Sequence, residues 1–147
     1  MRFETQKDID RETKAIEKLI QHKSKYNLTY KKLGHNDIDF VILKDDNKVA
    51  VVEVKGRNKY IEDAFPLPVA LRKVAKLQDQ SDSKYLFGKT GIILWDCLDG
   101  IIYAPIRDIK GEVRYGGRVK RFGSANDQEI MIYYPNQKNF TIIKDKK

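Results

Sequence analysis

The chain is poor in several residue types, and each shortage removes a class of function. One cysteine, Cys97, stands in 147 residues. It allows no internal disulfide and no thiolate metal cluster, and it predicts a reducing, intracellular (cytoplasmic) setting. His22 and His35 are the only histidines; they are too few for a histidine-based zinc site and lack partners at ligand spacing. No apolar run approaches the roughly 20 residues of a membrane span. The opening MRFETQKDIDRETK is charged and has no apolar leader core. No repeat and no low-complexity linker interrupts the chain, and only the Lys144–Lys147 tail is expected to be disordered. Acidic residues are outnumbered, 21 against 29 Lys and Arg, for a net charge of +8. That excess suits solubility, and it equally suits a polyanionic partner such as nucleic acid.

What is present is enough apolar residue, 41%, for one domain over 1–147 with a real core. Ile9, Ile16, Leu19 and Ile20 recur at helical spacing within 7–24. Residues 26–33 alternate as a strand. Two runs, 38–44 and 49–55, flank Asp45-Asp46-Asn47 and predict a hairpin. Pro66 and Pro68 open a second helix over about 67–80, with Ala70, Val74 and Leu77 on one face. Thr90–Asp96 is a buried strand, and Asp99-Gly100 turns into Ile101-Ile102-Tyr103. Trp95 and Tyr103 belong to the core. Residues 111–127, glycine-rich and basic, read as a loop, and EIMIYY and FTII as a last pair of strands within 128–143. The order predicts an α/β (α+β) domain on one mixed sheet, its core about 7–105.

The hairpin carries charges that a core strand should not. Asp39 opens its first run, and Glu53 and Lys55 sit in its second. Ionised groups are costly to bury unless paired or bound to metal. Glu53 and Lys55, two apart, share a face. A three-residue loop at 45–47, with Asn47 left-handed, places Asp39 opposite Glu53; a five-residue loop places it opposite Lys55, and a four-residue loop sends it to the other face. The three-residue loop fits best. Facing carboxylates repel, and a divalent cation between them removes the repulsion. Oxygen ligands of this kind suit Mg²⁺ or Mn²⁺, with Lys55 to act on a water or on developing phosphate charge. An ordinary salt bridge at the hairpin's open edge is the competing account. On the first helix, Glu12 falls at about 300° with Ile9 at zero, inside the apolar stripe. It needs either a partner such as a metal site or an escape to solvent near the helix start.

These residues, Ile38-Asp39 followed by a turn and then Glu53-Val54-Lys55, resemble the PD-(D/E)xK nuclease superfamily, to which restriction endonucleases and Holliday junction resolvases belong. The resemblance implies a restriction-endonuclease-like core, a helix, a three-stranded meander, a helix and a further strand. It implies that Asp39 and Glu53 bind one or two Mg²⁺ (or Mn²⁺) ions, with the Val54 carbonyl a third ligand. Lys55 would be the catalytic lysine, and Glu12 the first-helix glutamate of the resolvase-like branch, joining the catalytic and metal set. It further implies a deoxyribonuclease, an endonuclease acting on DNA in repair or recombination, and a homodimer. Ile38 stands where the family often has proline. Gln80 and Tyr85 are one residue too far apart for the RecB-type motif.

Outside this constellation, Asp37 is an outer ligand or a polar strand start. Arg57 and Lys59 are candidates for phosphate contact. Lys73 falls beside the apolar face of the second helix, either reaching the site or, the favoured reading, forming a solvated flank. Arg114, Tyr115, Arg118, Lys120 and Arg121 mix cations with an aromatic, as backbone contact and base stacking would require. A non-catalytic nucleic-acid-binding module on the same fold, its charges merely ion-paired, is the alternative function.

Overall fold

The structure is a computed structural model that describes residues 5–33, 39–82, 90–117 and 128–146. Thr5 and Asp8 cap each other reciprocally, at 3.1 and 3.3 Å, so helix α1, Gln6–His22, starts there. Its stripe buries Ala15, Ile16 and Leu19, with Glu12 among them. The strands are β1 Leu28–Lys32, β2 Phe40–Lys44, β3 Asn47–Gly56, β4 Leu67–Ala70, β5 Thr90–Cys97, β6 Gly100–Pro105, β7 Glu112–Gly117, β8 Gln128–Tyr134 and β9 Thr141–Lys144; helix α2 is Leu71–Asp82. Six of them form a sheet in the order β1-β2-β3-β5-β6-β9. Only β3 and β5 are parallel in it, so it is mixed. Their parallel pairing demands a crossover, and the β4–α2 segment lies in it.

Alternation along β3 separates two cores. Val52 and Val54 pack with Phe40, Ile42, Leu94 and the stripe of α1. Val51 packs with Val41, Ile93, Trp95 and Leu77 of α2. The expected order of helix, meander, helix and strand is therefore present, in an α+β fold with a mixed central sheet. Among the described residues no helix is long and apolar enough to cross a membrane.

Four expectations are corrected. The second helix begins at Leu71, not 67. Leu67–Ala70 is a strand, and Pro68, which has no N–H to give, is tolerated because β4 lies at the edge of its sheet. The 111–127 stretch is not all loop. Glu112–Gly117 pairs with β8, and residues 118–127 lie outside those described. The last two strands do not pair with each other. β8 joins β4 and β7 in a second, antiparallel sheet, while β9 adds to β6. One sheet was expected and two are found, because glycines and cations masked the alternation of β7. The second sheet still shares the α2-side core, through Ile132 and Tyr134.

The hairpin turn also differs. Lys44 pairs with Asn47, so the loop is the two residues Asp45 and Asp46, both at positive φ (52° and 66°). Aspartate tolerates that conformation, which a tight right-twisted hairpin requires at both positions. A bulge after Ile42 then adds one residue to β3, and Phe40 pairs with Val52. The shorter turn and the bulge cancel. Asp39 comes level with Glu53, as the longer loop would have placed it.

The burial of α1 against the sheet yields the first test. Ile16→Ala is expected to destabilise the protein by about 2–5 kcal/mol in urea unfolding. A loss below about 1 kcal/mol would show that α1 is not packed as described.

Candidate active site

The site forms where the open end of the β2–β3 hairpin meets both helices. Asp39 directly precedes β2, and its Oδ2 accepts a hydrogen bond from Val54 N at 2.8 Å. One neutral donor thus fixes the carboxylate without cancelling its charge. Glu53 lies beside it on β3, only 3% exposed. Its Oε1 is a buried oxygen with no hydrogen-bond partner among the described residues. Lys73 of α2 approaches that atom at 3.6 Å, an ion-pair contact beyond hydrogen-bond reach. Lys55, half-buried, follows Glu53 on the same face.

Burial raises Glu53 to about 8, and the adjacent Asp39 carboxylate adds to the rise, against Lys73 and Lys55. Burial lowers Lys55 from its usual value, opposed chiefly by Glu53. Glu12 belongs to the other face. Its Oε2 meets Lys32 Nζ at 3.4 Å, and the same ammonium lies 3.6 Å from Asp39 Oδ1. Lys32 thus links Glu12 to Asp39. Among the described residues, no three of Asp, Glu, His and Cys form a metal-holding cluster.

A cleft of about 740 Å³ opens over these groups, lined also by Arg11, Arg57, Arg72 and Asp96. Its donor set suits a hard divalent cation. Two carboxylates stand together, one oxygen is orphaned, and such ions often use few protein carboxylates and complete their shell with water and phosphate. Cys97 borders the cleft, but burial first, then Asp96 and Asp99, push its thiol to about 11. It is no nucleophile near neutral pH.

The other candidates disperse. Arg57 lines the cleft but donates to Ala64 O at 3.0 Å and Pro66 O at 3.2 Å, bracing the segment that leads into β4. Lys59 is exposed. Arg114 and Tyr115 stand exposed on β7, away from the cleft lining. Arg118, Lys120, Arg121 and Asp37 lie outside the described residues, as do Tyr85 and the Gln80 side chain. Sequence reasoning missed Lys32 and misjudged Lys73. Lys73 carried a signal, since it stands four residues before the buried Leu77 on the face turned to the sheet. Lys32 carried none, because nothing local reveals that β1 brings it against Phe40, the neighbour of Asp39.

Comparison with known proteins adds a family. A family model described as a phage putative PDDEXK endonuclease matches residues 1–143. No curated protein matches. Among solved structures, the chain is similar to Hjc of Archaeoglobus fulgidus, a Holliday junction resolvase from an archaeal hyperthermophile. The identity is 13% and the TM-score 0.48, over 80% of this chain and 84% of that one.

The raised Glu53 has a measurable consequence without metal. An unfolded glutamate ionises near 4.5 and the folded one near 8. Between those values the folded state holds the extra proton. Its stabilisation is complete below about pH 4.5 and is lost as pH rises through about 8. In EDTA, wild-type stability is expected to fall from pH 5 to pH 8 by up to about 1.4 kcal/mol per unit. Glu53→Gln should remove that slope in urea titrations, and an unchanged slope would reject the assignment.

Proposed function

The chain belongs to the phage PDDEXK endonuclease family, and we propose that it hydrolyses DNA phosphodiester bonds with Mg²⁺ or Mn²⁺ held by Asp39 and Glu53. One observation carries the reading. A buried glutamate with an orphaned oxygen stands beside a second carboxylate at the base of a polar cleft, with a lysine two residues on. A bound divalent ion supplies Lewis-acid polarisation of a phosphoryl oxygen and activation of water.

The protein's own groups do the rest. Val54 N–H aims Asp39, and the Val54 carbonyl would be a further ligand. Lys55 orients the attacking water or stabilises charge developing on the phosphate. Before the ion is bound, Glu12 steadies the constellation by holding Lys32 near Asp39. Arg11, Arg72 and the exposed cations Lys59 and Arg114 hold the DNA backbone, with Tyr115 open to a base. The two sheets act as one domain over 1–147, in the cytoplasm. A homodimer would present one site to each strand.

The test is cleavage of labelled junction, flap, duplex and single-stranded DNAs in Mg²⁺, Mn²⁺ or EDTA. Cutting should need the metal and fall at least about 10³-fold in Asp39→Ala and Glu53→Ala, and about 10²-fold or more in Lys55→Ala. Equal cutting by mutants and wild type would sink the site. No cutting of any DNA, with salt-sensitive binding intact, would make the protein a non-catalytic binding module.

A further inference from the structure

Two ammonium groups already stand against the carboxylates, one on each side. Lys73, from α2, approaches Glu53; Lys32, the last residue of β1, approaches Asp39 and Glu12. Lys32 donates a long hydrogen bond to Glu12 at 3.4 Å and stands 3.6 Å from Asp39. Lys73 lies 3.6 Å from Oε1 and leaves that buried atom without a hydrogen bond. A buried ion pair kept for stability needs good geometry and satisfied lone pairs, because desolvation otherwise outweighs the attraction. Both lysine side chains are also partly open, at 29% and 32%, beside carboxylates of 4–15%. Long stems let such heads swing to water while their methylenes keep packing.

We propose that Lys32 and Lys73 are internal counter-ions, positioning residues that hold the Asp39–Glu53 pair in the cation-free protein and are displaced when a divalent ion binds. The inference rests on the metal reading above and goes further. The lysines compete with the ion and lower its affinity. Once displaced, they remain at the cleft wall, where the nearest suitable anion is a DNA phosphate. Loading of metal and arrival of DNA therefore assist each other.

The experiment is Mn²⁺ titration by calorimetry on the full chain, with wild type, Lys32→Met, Lys73→Met, and the charge-keeping Lys32→Arg and Lys73→Arg. Melting is recorded in EDTA and in saturating Mn²⁺. Each Met variant should bind Mn²⁺ about ten-fold more tightly, since a unit charge a few ångströms from the ion has been removed. Each should melt lower than wild type in EDTA and match it with Mn²⁺. The Arg variants should bind as wild type does. Unchanged or weaker Mn²⁺ binding in the Met variants, with wild type binding normally, would overturn this proposal alone. Wild type that binds no Mn²⁺, or binds it undiminished after Glu53→Gln, would overturn the metal site and this proposal with it.

Discussion

Glu53 is the constraint around which this protein is arranged. It sits on β3, with β2 on one side and β5 on the other, and its neighbours Val51, Val52 and Val54 are dry. A carboxylate there can take a proton, a partner or a metal. Each of the first two answers is only partly given. Burial and Asp39 raise its pKa to about 8, so the proton is not firmly held above that pH. Lys73 stays at ion-pair distance without a hydrogen bond. Asp39, which adds to that rise, is itself a carboxylate, pinned by an amide that leaves its charge in place. Lys32 and Lys73 face the pair at 3.6 Å each, ion-pair contacts longer than a good hydrogen bond.

The layers supply the surroundings in a definite way. Strand alternation sends Val52 and Val54 to the α1 core, and Glu53 and Lys55 to the α2 side. The chemistry and its support therefore occupy opposite faces of one strand. Lys73 depends on where α2 lies, and α2 is tied to the second sheet by Arg72 to Glu129 at 3.0 Å. That sheet is anchored in turn by Trp95, which donates to Pro68 O and stacks edge-on with Tyr134 and Phe140. The added strands β4, β7 and β8 thus reach the site through the helix that carries Lys73.

Much of this was legible where the cause is local. The place of Glu12 in the apolar stripe, the shared face of Glu53 and Lys55, and the interior places of Trp95 and Tyr103 all follow from periodicity and composition. The start of α2 was misread because Pro68 suits an edge strand as well as a helix N-terminus, and only the distant β8 decides between them. The second sheet was hidden for the same reason, since its strands satisfy one another across long separations. Glu12 was rightly found in the stripe, but its face relative to Glu53 is a tertiary fact. The intervening Lys32 could not be read from either helix or hairpin.

The hairpin register shows why a site can be right while its turn is wrong. Two features were misjudged, the loop length and the continuity of β3, and their errors are equal and opposite. That is not chance in the folded protein. Phe40 and Ile42 must meet Val52 and Ala50 on the α1 side, while Val41 meets Val51 on the other. A one-residue slip would carry Asp39 to the α1 face and drive that whole apolar set out of its core. Turn chemistry at Asp45-Asp46 is weak by comparison, and the bulge after Ile42 absorbs the mismatch at the exposed end. The core on both faces sets the register, and the register puts one carboxylate level with the other.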